Sequence, residues 1–164
     1  VMLDETCRGT NAVNQLNIPL LCMGCEDMVI AASSDGILVS SKARSSHIKP
    51  FVEQVEGEAR FAEKSWGSFT ILDVQPEATT IRILLNPGHR LAYHSHEHRD
   101  EVWTIVAGMG RTVIDGQEKP VRPGDVVTMP AGVRHTLIAD SQIQAIEVQI
   151  GAEIDVADKT KYDL

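Results

Sequence analysis

The sequence predicts a mainly β fold, a small barrel or sandwich that follows a short α+β segment. After Arg60 nearly every stretch consists of strand-like apolar runs between glycine or proline turns, a pattern typical of closed or stacked β architectures. The pattern before Gly57 is different, with three short strand-like runs and one helical stretch. A chain of 164 residues that is 43% hydrophobic is long enough for one buried core with a small additional segment.

The first segment, residues 1–57, is predicted to contain three short strands and one helix. Small turn residues separate its apolar runs, so we place the strands at 16–22, 27–32 and 36–40. The helix begins at Ser45, after which apolar residues recur at helical spacing: Ile48, Phe51, Val52 and Val55. Pro50 fits a first helical turn, and Gly57 fits a helix end.

The second segment, residues 58–164, is predicted to form the barrel. Its strands are expected at 67–74, 79–85, 89–96, 101–107, 110–114, 125–129, 133–139 and 143–150. Asp115-Gly116 favours a tight type I′ hairpin turn. Three further reversals are marked by Asn86-Pro87-Gly88, Arg122-Pro123-Gly124 and Pro130-Ala131-Gly132.

The charge of the chain argues against binding to nucleic acid. Lys and Arg number 15 against 23 Asp and Glu, which gives a net charge of −8. The apolar runs are shorter than the ~20 residues of a membrane span, and we expect neither a membrane partner nor a cleavable signal peptide. The odd number of cysteines, Cys7, Cys22 and Cys25, favours a reducing, cytoplasmic location. Cys22 and Cys25 are expected to be buried thiols and not half of a zinc site or a redox pair.

The histidines form the main candidate site. Five of the six lie between His89 and His135. His94 and His96 are two residues apart on a predicted strand, so both side chains leave the same face. Glu101 opens the next strand after a short turn, and His135 follows another turn, so both can approach the same point.

Three imidazoles and one carboxylate predict a site for one divalent transition metal, with His94, His96, Glu101 and His135 as ligands. One or two coordination positions remain for water or substrate. The ligand set does not choose among zinc, manganese, iron, nickel and cobalt. His89 and His98 lie in predicted turns and are expected to be solvated.

These residues match a known family pattern. Gly88, His94, His96, Glu101 and Gly108 have the spacing of the first cupin motif, and Gly124, Pro130, Gly132 and His135 have that of the second. Ala139 stands where the second motif usually ends in asparagine. The segment therefore resembles the cupins, and the resemblance implies a double-stranded β-helix, or jelly-roll barrel, with a metal in its mouth.

A closer resemblance covers most of the chain. The segments that carry it are 64–69, Arg82, Asn86-Pro87-Gly88, 98–103, and Ile146-Glu147-Val148-Gln149. They are similar to the C-terminal cupin of bacterial bifunctional mannose-1-phosphate guanylyltransferase/mannose-6-phosphate isomerases. Residues 27–32 and 35–40 are similar to the segment that follows the nucleotidyltransferase domain in that family.

The glycine-rich nucleotide-binding signature of such transferases is absent from these 164 residues, so we expect that this chain alone does not make GDP-mannose. Two explanations are open: the chain is a fragment of a longer protein, or its gene retains only the C-terminal part of such a transferase.

The resemblance implies a metal-dependent sugar-phosphate isomerase. In this family a metal holds the oxygens of an open-chain sugar while a base moves a proton between C1 and C2 through an enediol. Glu101 and Arg99 match the family and are the expected catalytic residues, and Arg82 and Arg134 are the expected phosphate-binding residues. The family commonly has glutamine in place of His94 and histidine in place of Val102. A histidine at position 102 would be an acid–base or orienting group beside the metal.

Two other functions remain open at this stage. A non-catalytic module could bind a sugar phosphate or dimerise with a nucleotidyltransferase, and Val102 together with the absent signature motivates this alternative. An iron-dependent dioxygenase is a weaker alternative that rests on the shared ligand set. A homodimer is expected because pairing would cover an exposed barrel edge. Trp66 and Trp103 are expected to be packing anchors.

Overall fold

The computed structural model describes residues 1–55 and 59–164. They divide into two compact units, Val1–Ala59 and Arg60–Leu164. The boundary predicted from the sequence, between residues 57 and 58, and the helix end predicted at Gly57 lie outside the described residues.

The first unit is a small β structure with one turn of helix. Its elements are β1 (Met2–Leu3), β2 (Asn11–Asn14), β3 (Leu21–Cys22), β4 (Met28–Ser33), β5 (Gly36–Ser41), a 3₁₀ turn (Ser45–His47) and α1 (Lys49–Val52). Strand β1 pairs in parallel with β3, and β2 pairs in parallel with β4. Both parallel pairs therefore join strands that are not consecutive in the sequence, and β5 then pairs with β4 as an antiparallel hairpin.

The sequence predicted β4 and β5 closely but overestimated two other elements. Only Leu21–Cys22 of the run predicted at 16–22 is a strand, and β1 and β2 were not predicted. The helix is much shorter than its apolar spacing suggested, because α1 has four residues and contains no buried side chain. Pro50 lies in its first turn, as expected. Cys22 is buried and Cys7 and Cys25 are half-buried, and all three are free thiols.

The second unit consists of eleven described strands. They are β6 (Phe61–Lys64), β7 (Gly67–Gln75), β8 (Ala78–Leu85), β9 (Tyr93–Ser95), β10 (Asp100–Ala107), β11 (Gly110–Ile114), β12 (Gln117–Val121), β13 (Val126–Met129), β14 (His135–Ala139), β15 (Ile143–Ile150) and β16 (Thr160–Tyr162). They form two antiparallel sheets, in the orders β13-β10-β15-β8-β7-β6 and β12-β11-β14-β9-β16. The predicted β barrel is therefore confirmed.

The hydrophobic core of this unit is made by alternate residues of both sheets. On β15 the buried positions are every second residue, and the same period holds on β10. Trp103, Ile105 and Leu137 are almost completely buried there, and Trp66 packs against the same cluster. The expectation that both tryptophans are packing anchors is confirmed.

Three strands of the barrel unit, β6, β12 and β16, were not placed by the sequence. Strand β12 contains Pro120, which has no N–H to donate to a ladder, and it is tolerated because β12 is an edge strand. The strand predicted at 89–96 shortens to β9, because residues 86–89 form a turn in which Gly88 has φ +74°. The hairpin at Asp115-Gly116 is confirmed, and both residues have positive φ as a type I′ turn requires.

Within residues 1–55 and 59–164, the helical segments are too short and too polar to span a lipid bilayer.

Candidate metal centre

The four predicted ligands come together in the barrel unit. His94 is in β9, His96 follows it directly, Glu101 is in β10, and His135 begins β14, where it pairs with His94. Their nitrogen and carboxylate oxygen atoms all lie within 4.8 Å of one another, and all four side chains are buried. The alternation along β9 puts both of its histidines on the inner face, as their spacing predicted.

Each of the three imidazoles bonds to a backbone carbonyl through Nδ1. The pairs are His94 Nδ1 with Ala92 O at 2.6 Å, His135 Nδ1 with Val133 O at 2.9 Å, and His96 Nδ1 with Asp158 O. A carbonyl oxygen can only accept, so the hydrogen is on Nδ1 in each ring. Each Nε2 therefore keeps its lone pair, which is the form that binds a metal.

Two of these lone pairs face a carboxylate. His96 Nε2 is 3.0 Å from Glu101 Oε1, and His135 Nε2 is 3.1 Å from Glu101 Oε2. Two acceptors repel each other at this distance unless a cation lies between them or the ring gains a second proton. The donor set, three imidazole nitrogens and one carboxylate in a buried pocket, fits a divalent transition metal.

The surroundings keep the ligands in their metal-binding protonation states. Burial, with a smaller contribution from the charge of Lys159, lowers the pKa of His94 to about 3, so the ring is neutral at pH 7. Burial alone would raise the pKa of Glu101. The two neighbouring imidazoles of His135 and His96 outweigh it, so the pKa of Glu101 is below its ordinary value and the side chain is a carboxylate.

Arg99 is the buried cation of the cluster. Its Nε donates to Glu101 Oε1 at 3.2 Å, and Nη2 lies 3.3 Å from His96 Nε2. Its Nη1 donates to the backbone carbonyl of Asp155 at 2.7 Å. The structure therefore brings Arg99 next to the predicted ligands, with its guanidinium already bonded to two of them.

A second buried acid, Glu147, lies on the inner face of the barrel. Trp103 Nε1 donates to Glu147 Oε2 at 2.8 Å, and Gln149 Nε2 donates to Glu147 Oε1 at 2.7 Å. The same Gln149 nitrogen lies 3.3 Å from Glu101 Oε1, so the amide bridges the two acids. Burial, and then the negative charge of Glu101, raises the pKa of Glu147 to about 7.

Sequence reasoning missed Glu147 and Gln149 as neighbours of the cluster. A signal was present, because both continue the alternation of Ile143 and Ala145, which are buried on the same strand. Polar residues at the inward positions of a strand are unusual unless a buried partner satisfies them.

The two arginines predicted to bind phosphate are placed differently. Arg82 is exposed on β8, on the opposite face from Ile83 and Leu85, so the structure does not bring its side chain to the cluster. Arg134 precedes His135, and its guanidinium lies over the ring of Tyr162 at 4.2 Å. Arg134 is thus adjacent to a ligand, and Arg82 is not.

Position 102 does not border the cluster. Val102 lies between the buried Glu101 and Trp103 on β10, so its side chain leaves the other face of the strand. The expectation that a histidine here would be beside the metal is therefore not met.

His89 and His98 are exposed, as predicted for turn residues. A cleft of about 520 Å³, lined by Thr112, Lys119 and Thr128 among others, holds none of the cluster residues.

Comparison with known proteins agrees with this geometry. Residues 81–149, which include all four ligand positions, match the family model of the cupin domain. This segment is a cupin domain. A solved structure similar to the cupin is an uncharacterized conserved protein with a double-stranded beta-helix domain from Klebsiella pneumoniae. It is 14% identical, has a TM-score of 0.53, and aligns over 66% of this chain and 90% of that one. The likeness shows the double-stranded β-helix fold.

The curated relatives of the cupin are longer proteins. Mannose-1-phosphate guanylyltransferase from Escherichia coli strain K12 is 27% identical over 149 residues, which is 85% of this chain and 31% of that protein. The xanthan biosynthesis protein XanB from Xanthomonas campestris pv. campestris strain B100 is 25% identical over 166 residues, 96% of this chain and 35% of that protein. The chain thus spans about a third of these relatives, and it resembles their C-terminal part.

Proposed function

We propose that this chain is a metal-binding cupin that acts on a sugar phosphate, with the activity of a mannose-6-phosphate isomerase. The observation that carries the proposal is the buried cluster in which two unprotonated imidazole nitrogens face the oxygens of Glu101. The relatives named mannose-1-phosphate guanylyltransferases add the substrate class, because their name specifies a phosphorylated mannose.

In this proposal His94, His96, Glu101 and His135 hold one divalent transition metal, either zinc, manganese, iron, nickel or cobalt. When bound, such a metal supplies a Lewis acid that polarises a sugar carbonyl. The three Nδ1–H···O bonds orient the imidazoles for it, since each bond fixes both the tautomer and the ring.

The chain's own residues would provide the proton transfer and the charge. An aldose–ketose isomerisation moves one proton between neighbouring carbons and needs a positioned base, which we assign to Glu101. Arg99 holds that carboxylate through the Nε bond to Oε1. Arg134 is the better placed of the two proposed phosphate-binding arginines, because it directly precedes the proposed ligand His135, whereas Arg82 is exposed on the opposite face of β8 from Ile83 and Leu85. For Arg82 the role stays a prediction.

The test is conversion of mannose 6-phosphate to fructose 6-phosphate by the purified chain with added Mn²⁺, Zn²⁺ or Co²⁺. We expect turnover, and we expect Glu101→Gln to abolish it, because the amide can neither act as the base nor carry the charge that balances the metal. Glu118→Gln is the matched control, since Glu118 is an exposed acid paired with Arg111. Absence of turnover with every metal would eliminate the isomerase.

A second function, a non-catalytic sugar-binding or dimerisation module, is favoured by one observation: the chain covers only the C-terminal part of its transferase relatives. Its signature would be a rise in melting temperature with mannose 6-phosphate or GDP-mannose and no turnover. The expected homodimer and cytoplasmic location also remain predictions, and light scattering of the purified chain measures the first of them.

A further inference from the structure

The C-terminal segment, residues 155–162, contacts the turn that carries the cluster. This turn joins β9 to β10, and the stretch from His94 in β9 through His96 in the turn to Glu101 in β10 includes three of the four proposed ligands. No element was predicted after residue 150, yet β16 lies there and pairs with β9, with Lys161 opposite His94. The hydroxyl groups of Tyr162 and Ser95 are 3.0 Å apart and join the same two strands.

Asp158 makes three of the contacts between this segment and the turn. Its backbone carbonyl accepts from His96 Nδ1. Its carboxylate accepts from the backbone N–H of Glu97 at 2.8 Å and from that of His98 at 3.1 Å. One residue therefore fixes both the ring of a proposed ligand and the backbone on its C-terminal side.

The contacts act on two parts of the cluster, the ring of His96 and the backbone of the turn after it. The carbonyl bond orients the His96 imidazole and keeps its hydrogen on Nδ1. The two carboxylate bonds hold the backbone of the turn between His96 and Glu101, so they help to fix the distance in space between these two side chains. A neighbouring bond, from Arg99 to the carbonyl of Asp155, ties the same turn to the same segment.

We propose that Asp158 is a positioning residue for the metal centre, and that the C-terminal segment completes the site by orienting His96 from outside the barrel strands. The inference rests on the proposed function only in requiring that the cluster binds a metal. Partners of this kind, which bond to a ligand and not to the metal, contribute 10–100-fold to metal affinity in other proteins.

The test is titration of the metal-free full chain with Zn²⁺ and with Co²⁺, following both the affinity and the cobalt absorption spectrum. We expect Asp158→Ala to weaken binding by about 10-fold or more and to change the spectrum, because the backbone carbonyl that bonds to His96 remains but the two carboxylate bonds that hold it against the turn are lost. Asp158→Asn retains one carbonyl acceptor, so we expect an intermediate affinity. The control is Asp163→Ala, which removes the same charge from an exposed residue directly after this segment.

Three outcomes separate the possibilities. Weaker binding in Asp158→Ala with partial recovery in Asp158→Asn supports the proposal. Wild-type affinity and spectrum in Asp158→Ala, even with a lower melting temperature, overturn it, since the residue would then only stabilise the fold. A wild-type chain that binds neither metal overturns both this inference and the proposed metal centre.

Discussion

Glu101 and Glu147 are both buried in the barrel, yet their surroundings move their pKa values in opposite directions. Glu101 faces two imidazoles and a guanidinium, and its pKa is lowered. Glu147 is bonded by the neutral donors Trp103 Nε1 and Gln149 Nε2, and its pKa rises to about 7. At Glu101 the neighbouring imidazoles outweigh burial, so this carboxyl group is ionised at neutral pH. At Glu147 burial and the negative charge of Glu101 outweigh the two neutral donors, so this group keeps its proton up to about pH 7.

The raised pKa of Glu147 predicts a loss of stability with rising pH. Below its ordinary pKa of 4.5, both the folded and the unfolded chain carry the proton. Between pH 4.5 and about 7 the unfolded chain releases it while the folded chain retains it, so the free energy of unfolding falls over this window. In Glu147→Gln this contribution to the slope should disappear.

The measurement is urea denaturation of the metal-free protein between pH 4.5 and 8, comparing the wild type with Glu147→Gln. The readout is the slope, because the substitution can also change stability by an amount that does not depend on pH. Glu153→Gln, which removes an exposed acid, serves as the control and should keep the wild-type slope. Parallel curves for the wild type and Glu147→Gln would contradict the prediction.

The connection between β10 and β11 depends on Gly108. It has φ +81°, and a Cβ placed there would lie 2.0 Å from the backbone oxygen of Gln142, which cannot move without shifting the start of β15. Gly116 has a similar φ of +79°, but a Cβ there would meet no atom within 4 Å. The two glycines therefore differ in their neighbours and not in their backbone conformation.

We expect Gly108→Ala to lower the free energy of unfolding by several times the roughly 1 kcal/mol that the backbone strain alone costs in Gly116→Ala. The reason is that the alanine methyl group collides with the main chain of a neighbouring loop. Thermal denaturation of both variants measures the difference. Equal destabilisation would show that the Gln142 loop moves away at no cost.

The edges of the two sheets show how an element can be hidden in the sequence. Strand β12 has four exposed residues, one of them Pro120, and β16 is a three-residue strand separated from β15 by an irregular segment. Neither has the apolar alternation that identifies a strand, because an edge strand needs only one hydrogen-bonding partner and buries few side chains. The Asp115-Gly116 turn indicated a strand paired with β11 but not the bounds of β12, and the pairing of β16 with β9 became visible only in the fold.

Metal binding should stabilise the whole barrel unit. The four proposed ligands come from β9, the turn after it, β10 and β14, and these elements belong to both sheets. A metal that binds only the folded chain raises the free energy of unfolding by about 2.7 kcal/mol at 100 times its dissociation constant. We therefore expect Zn²⁺ or Co²⁺ to raise the melting temperature, and a chelator to reverse the rise.

The control for this prediction is His135→Ala, which removes one ligand, compared with His98→Ala, which removes an exposed imidazole. Differential scanning calorimetry should show a metal-dependent shift in the wild type and in His98→Ala, and little or none in His135→Ala. A shift of equal size in all three proteins would mean that the metal binds elsewhere.

Much of the barrel and of the ligand set follows from local sequence. Turn residues such as Asp115-Gly116 dictate reversals through their own backbone preferences, and the two-residue spacing of His94 and His96 places both on one face of any strand. These features depend on neighbours along the chain, so a single sequence is sufficient to predict them.

Other parts of the site were decided only by the tertiary structure. Three features depend on residues far apart in sequence: the face of the sheet on which Arg82 lies, the hydrogen-bond partners of Glu147, and the contact between Asp158 and His96. Register across a sheet and burial of a charge are set by packing of the complete barrel, which no local pattern encodes. The sequence by itself determined the proposed ligands and their shared face, whereas the fold determined what surrounds them.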